Sequence, residues 1–116
     1  MAKTQDEINE LLASDLFQKG IKDKCIIINE GNSIIRYNCK NQTKRRLQNP
    51  EEFVQAETYL KLIYDYDYPA SNISVNESVQ IGSETREADI LVYNDSHSKI
   101  LVVVECKEEN INERQF

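Results

Sequence analysis

Residues 102–110, VVVECKEEN, carry the pattern that decides the fold of this chain. The opening valines are β-branched and apolar, so they predict a buried strand, which stops on the carboxylate of Glu105. Because side chains alternate along a strand, Glu105 and Lys107 are predicted to point to one side and Cys106 to the other. The strand therefore ends by presenting an acid and an amine together.

The preceding segment, EADILVY, predicts a second strand, which the polar turn NDSHSK joins to the first. A turn centred near Ser96 or His97 makes an antiparallel hairpin in which Asp89 lies opposite Glu105, or within one residue of it. Two carboxylates held this close repel each other unless a cation lies between them. Mg²⁺ is commonly held by one or two carboxylates plus waters, so the pair predicts a Mg²⁺ (or Mn²⁺) site.

With Lys107 on the same face, this constellation is typical of phosphodiester hydrolysis. A bound metal polarises a phosphoryl oxygen and acidifies a water, and Lys107 can orient that water or stabilise the developing charge. A second interpretation is that the acid and the lysine only mark where a strand meets water. His97 is the only histidine, and no triad or nucleotide-binding P-loop is present, so ATP chemistry by this chain is not predicted.

The segment 48–69, QNPEEFVQAETYLKLIYDYDYP, predicts the clearest helix, with Asn49 as its N-cap and Pro50 in its first turn. Three apolar side chains at helical spacing surround Glu57: Phe53, Leu60 and Tyr64. Glu57 is therefore predicted to lie on the apolar stripe that packs on the sheet. Because a buried carboxylate needs a partner, the predicted metal site is its natural neighbour.

The remaining pattern predicts one domain of 116 residues in three segments. Residues 1–20 predict an N-terminal helix that begins with a capping box at Thr4 and ends at Gly20. Residues 21–48 predict a hairpin followed by a basic loop. Residues 49–110 form the motif-bearing core.

The net charge of -6 argues against strong autonomous binding of nucleic acid, because phosphate contacts need Lys and Arg. One basic cluster stands out in the predicted loop: Lys40, Lys44, Arg45 and Arg46. Two interpretations of it remain open, a solvated loop and a DNA phosphate contact, and the second would involve Lys44, Arg45 and Arg46. No stretch has the length of a membrane span or the apolar core of a signal peptide, so we expect a cytoplasmic protein with no membrane partner.

Two segments together resemble a known family. The pattern ADILVY…LVVVECK resembles the PD-(D/E)XK nuclease motif, with Asp89 followed by Glu105, Cys106 and Lys107. The segment NPEEFVQAETYLKLIYDYDYP is similar to the helix that precedes this motif in the N-terminal nuclease domain of type I restriction enzyme R subunits. The resemblance covers roughly residues 34–110. It implies an α/β fold with a restriction-endonuclease-like core, a mixed central β-sheet flanked by helices.

The resemblance also implies roles for individual residues. Asp89 and Glu105 would bind Mg²⁺ (or Mn²⁺), with the Cys106 carbonyl as a third ligand. Glu57 matches the acid of the family's first helix, and Lys107 matches the catalytic lysine. The implied activity is that of a Mg²⁺-dependent deoxyribonuclease, the endonuclease of restriction-modification that hydrolyses DNA phosphodiester bonds.

The implied partners are double-stranded DNA, a translocase domain, and the modification and specificity subunits. ATP would act only through that translocase, a motor absent from this chain. Ala88 replaces the proline of the motif, and the sequence stops at Phe116, before any motor. We therefore expect either a fragment of a larger chain or a small stand-alone relative, with weak or no cleavage by the isolated chain.

Two alternative functions remain open. One is a nuclease fold kept as an assembly or DNA-contact module without turnover. The other is a different metal-dependent phosphodiesterase that acts on nucleic acid, since the residues alone do not separate DNA from RNA.

Overall fold

The computed structural model describes residues 4–29, 31, 33–47 and 49–106. Its elements in chain order are α1 (Gln5–Leu12), α2 (Asp15–Lys22), β1 (Ile26–Asn29), β2 (Ile34–Tyr37), β3 (Lys44–Arg46), α3 (Pro50–Tyr64), a short 3₁₀ turn (Ala70–Asn72), β4 (Ile73–Ile81), β5 (Glu84–Tyr93) and β6 (Ile100–Val104). The hairpin after α2 and the three strands after α3 were all predicted from the sequence.

The strands form two three-stranded sheets, in the orders β1–β2–β3 and β4–β5–β6. The α/β composition is as predicted, but the expected mixed sheet is not formed by the described strands, since all of their pairings are antiparallel. The physical reason is the connections: within each sheet, consecutive strands are joined by short links, whereas a parallel pair needs a long crossover.

The N-terminal segment forms two helices where the sequence predicted one. The capping box at Thr4 is present as predicted. Helix α1 ends at Leu12. A second helix, α2, then begins after Ser14, whose side chain accepts a hydrogen bond from the backbone N–H of Phe17. Gly20 lies within α2 rather than at its end. A Cβ on Gly20 would lie 2.6 Å from Cδ2 of the buried Leu60, so this glycine allows α2 to approach α3 closely.

Helix α3 is the central element of the fold. Asn49 and Pro50 occupy its N-cap and first turn, as predicted. Its apolar side packs on α2, where the Phe17 and Phe53 rings lie 6.4 Å apart, and on the hairpin, where Tyr37 and Tyr59 meet edge to face at 5.0 Å. In the part of the chain that the structure describes, no helix has the length and apolar character needed to cross a membrane.

The segment between β2 and β3 ties the two sheets together. The Lys40 N–H donates to the Ile73 carbonyl at 2.8 Å, and the Asn41 side chain both donates to and accepts from the Val75 backbone. Because this turn is anchored on β4, the next residues run back beside β2. The predicted basic loop is therefore wrong for residues 44–46, which form the edge strand β3.

Candidate metal and nucleic-acid site

The β5–β6 hairpin has the register that the sequence predicted. Ile90 pairs with Val104 and Leu91 with Val103, so the next position would set Asp89 opposite Glu105. The turn residue His97 has a φ of 58°, which fits a tight connection between the strands. The pairing of these two strands is thus confirmed.

The side-chain directions differ from the prediction that both acids share one face. Asp89 lines a cavity beside α3 together with Cys106. Glu105 is exposed and lines a separate cavity with Arg86 and Ala88. Glu105 lines that separate cavity together with Val103, as strand alternation requires, so Asp89 is the residue that departs from the expected face. The described structure therefore does not bring Asp89 and Glu105 into one cavity.

A short hydrogen bond joins the two parts of the motif. The Cys106 backbone N–H donates to Oδ2 of Asp89 at 2.6 Å, which is short for an N–H···O hydrogen bond. Cys106 itself is buried. Lys107, the predicted catalytic lysine, lies outside the described residues.

The cavity that contains Asp89, here called the acidic cavity, lies between the start of α3, β3, and the β4–β5 pair. Its volume is about 130 Å³, room for several waters. Nine residues line it: Arg45, Asn49, Glu51, Glu52, Gln55, Asn76, Glu87, Asp89 and Cys106. Four of the nine carry carboxylates and one carries a guanidinium, so the described walls favour a cation.

Glu52 is the most buried of these acids, at 8% exposure. Its Oε2 accepts hydrogen bonds from the Tyr37 hydroxyl at 2.8 Å and from Nε2 of Gln55 at 2.9 Å. Its Oε1 lies 3.4 Å from Nε of Arg45. Gln55 Nε2 also donates to Oδ1 of Asn76 at 3.1 Å, which extends the network to β4. The carboxylate is thus held by three donors.

Burial raises the pKa of Glu52 above its ordinary value, because the charged form loses water. The hydrogen bond from Tyr37 and the charge of Arg45 act in the opposite direction and lower this pKa, without reversing the effect of burial. Glu52 is therefore a carboxylate whose charge depends on its donors and on any further cation in the cavity.

Glu57 does not occupy the position predicted for it. It is exposed, and it does not line the acidic cavity. The buried side of α3 includes Ala56, and at about 100° per residue Glu57 is turned about 100° from that residue, whereas Glu52 is turned only about 40°. Leu60 and Phe53, which guided the prediction, are buried at about 40° and about 60° from Ala56 on the side of Glu57, so Glu57 falls just beyond the buried arc. The helix acid beside Asp89 is Glu52.

The Cys106 thiol is protonated at neutral pH. Burial, and then the nearby charge of Asp89, raise the pKa of this thiol to about 11. A protonated thiol is a poor metal ligand and a poor nucleophile. If Cys106 contributes to a site, its backbone is the part that can do so.

The carboxylates of the acidic cavity are the kind of ligand that suits Mg²⁺, but the described residues do not form a complete set of ligands. Carboxylates are the ligands that Mg²⁺ prefers, and the acidic cavity supplies them. Within residues 4–106 as described, no three His, Cys, Asp or Glu side chains gather closely enough to hold an ion. The described residues therefore offer an acidic cavity rather than a complete set of ligands.

Basic side chains lie next to this cavity. A second cavity, of about 200 Å³ and here called the basic cavity, is lined by Asn29, Ile34, Lys44, Arg45 and Arg46. Arg45 lines both cavities, and its side chain is 42% exposed while it pairs with Glu52. The basic cluster predicted from the sequence thus borders the acidic cavity through this one residue.

Sequence reasoning missed Glu52, and with it the donors Tyr37 and Gln55. A signal for Glu52 was present, because it precedes Ala56 by four residues and Tyr59 by seven, the spacing of one helical face. No comparable signal marked Tyr37, because it reaches Glu52 from strand β2 rather than from the same helix. Asn76 was marked only as a polar residue within a β-branched run, where Asn is uncommon.

The comparisons with known proteins agree with the motif-bearing half of the chain. A family model described as the type I restriction enzyme R protein N terminus (HSDR_N) matches residues 50–116. No curated protein and no solved structure gives a significant match. The matched segment is more than half of the chain and contains α3, Asp89 and Glu105. The chain therefore belongs to the family of type I restriction enzyme R protein N termini.

Proposed function

We propose that this chain is a metal-dependent endonuclease domain that hydrolyses DNA phosphodiester bonds, as part of a type I restriction enzyme. The observation that carries this proposal is the hydrogen bond from the Cys106 N–H to Asp89. It fixes the residue between Glu105 and Lys107 against the carboxylate of the preceding strand, at the rim of an acidic cavity. Membership of the restriction family supports the same activity.

Each residue has a role in this proposal. Asp89 and Glu105 supply carboxylates to Mg²⁺ or Mn²⁺, with the Cys106 carbonyl as a third ligand, and Glu52 takes the place of Glu57 as the helix acid. Lys107 orients the attacking water or stabilises the charge that develops on the phosphoryl group. The metal, when bound, supplies Lewis acidity and a more acidic water.

Because Glu105 lies outside the acidic cavity in the structure, its part in the ligand set requires the end of β6 to move toward Asp89 when metal and substrate bind. Mg²⁺ in nucleic-acid enzymes often binds one or two carboxylates plus substrate phosphates and waters rather than a full protein cage. We therefore expect weak binding of the metal by the protein alone, and tighter binding in the presence of DNA.

DNA would approach over β3. Lys44 and Arg46 are exposed there, and Arg45 lies between them at the boundary of the acidic cavity. A phosphate held by these side chains would lie beside the carboxylates. Because the chain carries a net charge of -6, this contact alone gives weak binding, so a translocase and partner subunits would deliver the DNA.

The test is nicking of closed circular DNA by the purified chain at low salt with Mn²⁺, with Lys107→Ala as the matched inactive variant. We expect slow nicking that requires the metal and is absent from the variant. Parallel reactions with linear DNA and with RNA separate an endonuclease on DNA from another phosphodiesterase. Equal nicking by Lys107→Ala would overturn the proposed role of this residue, and preference for RNA would overturn the substrate.

One observation favours the alternative of a module without turnover. No three metal-ligating side chains gather in the part of the chain that the structure describes. A module of this kind would gain no thermal stability from Mn²⁺, because it would bind none. A shift of the melting temperature with Mn²⁺ that Asp89→Asn abolishes would exclude this alternative.

A further inference from the structure

Strand β4 is irregular at Asn76, directly beside the position of Asp89. Val75 pairs with Ile90 and Glu77 pairs with Ala88, but the residues between them, Asn76 and Asp89, make no ladder pair. Asn76 has a φ of 53°, in the left-handed region that most residues avoid and that Asn tolerates better than others.

The two sides of this irregularity show opposite side-chain alternation. On one side Ile90 is buried in the core, so a regular strand would turn Ala88 to the core as well and Asp89 away from it. In the structure Ala88 is buried outside that core cluster and, with Val103, lines the cavity that contains Glu105, whereas Asp89 lines the acidic cavity with Glu52. The alternation therefore changes where Asn76 interrupts the ladder.

The Asn76 side chain makes a second connection to the same cavity. Its Oδ1 accepts a hydrogen bond from Gln55 Nε2 at 3.1 Å, and the same nitrogen donates to Glu52 at 2.9 Å. The backbone of Asn76 thus lies beside Asp89, and its side chain is linked through Gln55 to Glu52.

We propose that Asn76 is a positioning residue whose left-handed backbone turns the Asp89 carboxylate into the acidic cavity, where it meets the Cys106 N–H. The role of Asp89 in cleavage rests on the proposed function, whereas its direction does not. A left-handed residue breaks the two-residue period of β4, and the paired strand β5 takes up the break at Asp89. The amide of Asn76 has the smaller task of orienting Gln55 toward Glu52.

The test compares variants that keep or lose the left-handed backbone. Asn76→Gly retains it at no steric cost, whereas Asn76→Val opposes it. Ser78→Val is the control, a β-branched change at an exposed position of the same strand. The readout is hydrogen exchange of the Cys106 backbone amide, which reports its bond to Asp89, with Asp89→Ala as the reference for a broken bond.

In Asn76→Gly and Ser78→Val, we expect the Cys106 amide to exchange at the rate seen in the unmodified chain. In Asn76→Val, we expect it to exchange at least tenfold faster, near the rate in Asp89→Ala. Mn²⁺ affinity should fall with the lost protection. If Asn76→Val does not fold, Asn76→Ala replaces it, because alanine also disfavours a positive φ.

Unchanged protection in both the Val and the Ala variants would overturn the proposal, and so would loss of protection in Asn76→Gly. These outcomes do not depend on nuclease activity. If protection follows the expected order but neither metal binding nor cleavage does, Asn76 positions Asp89 and it is the proposed function that fails.

Discussion

The acidic cavity and the basic cavity lie side by side but differ in construction. The carboxylate of Glu52 in the first is nearly enclosed and held by three donors. The side chains of Lys44 and Arg46 in the second are exposed on a strand of three residues. Arg45 belongs to both.

This difference separates two tasks, action on a reacting phosphate and attraction of a backbone phosphate. Groups that act on a reacting phosphate need fixed geometry, so they lie on packed elements and in a hydrogen-bonded network. Groups that only attract a backbone phosphate need charge and reach, which exposed Lys and Arg side chains supply. Four changes test whether the two cavities are as separate as their construction indicates.

The largest effect is expected from Asp89→Asn. Removal of this charge should lower Mn²⁺ affinity, because the metal loses a ligand, and should reduce cleavage by on the order of 100- to 1,000-fold, the loss typical of removing one preorganised catalytic interaction. Glu84→Gln, at the exposed start of the same strand, is the control and should retain both properties. Calorimetry and plasmid nicking measure them, and equal behaviour of the two variants would remove Asp89 from the site.

Tyr37→Phe should be the most damaging conservative change in the core beneath the acidic cavity. It removes the hydroxyl that donates to the Glu52 carboxylate, at a cost of about 1.5–3 kcal/mol in the free energy of unfolding. Tyr59→Phe is the matched control, because this equally buried hydroxyl donates to a neutral acceptor, the Cys25 carbonyl, for about 0.5–1.5 kcal/mol. Denaturant unfolding that ranks the two variants in the reverse order would contradict a charged Glu52.

Glu52→Gln should change how the free energy of unfolding depends on pH. Because the pKa of Glu52 is raised in the folded state, the folded chain holds this proton more tightly than the unfolded chain. The contribution of Glu52 to stability is therefore fully present at low pH and is lost as pH rises from the ordinary value of 4.5 through the raised pKa. Glu52→Gln should remove this contribution.

Glu57→Gln is the control for that measurement, since it makes the same chemical change at an exposed position of the same helix. Urea unfolding between about pH 4 and pH 8 gives the free energy of unfolding of both variants at each pH, and only Glu52→Gln should change its pH dependence. A Glu57→Gln curve that flattens while the Glu52→Gln curve does not would restore the original prediction about the helix acid.

The smallest effect on the protein itself is expected from Lys44→Gln combined with Arg46→Gln. Loss of two phosphate contacts should reduce the slope of log affinity for DNA against log salt by about two units. Mn²⁺ affinity should not change, because neither residue lines the acidic cavity. Lys22→Gln with Lys61→Gln removes the same charge from exposed helical positions, and an equal loss of slope there would indicate a nonspecific effect of charge.

Much of the fold was predictable because its local signals agree with its tertiary structure. The capping box at Thr4, Asn49 and Pro50 at the start of α3, and the β5–β6 register all depend on residues close in the sequence. The division of the N-terminal segment into two helices was missed, because the Ser14 cap has a weaker pattern than a capping box.

The site was less predictable, because its geometry depends on contacts between distant segments. Periodicity alone placed Glu57 near the apolar face, but which flank of α3 is buried is decided by Tyr37 and by α2. The rule of alternation predicted that Asp89 would share a face with Glu105, and Asn76 breaks that rule from a neighbouring strand. A single left-handed residue can thus reverse a prediction that every local pattern supports.

The Cys106–Asp89 hydrogen bond also has a mechanical consequence. β6 runs antiparallel to β5, so tension on the chain beyond Cys106 peels the hairpin from its open end, and among the hairpin bonds that the structure describes this one carries the load first. Bonds loaded one after another separate at lower force than bonds loaded together. We expect a pulling experiment with a handle after Phe116 to release the Asp89 carboxylate before the core unfolds, which would make this carboxylate sensitive to force on the downstream chain.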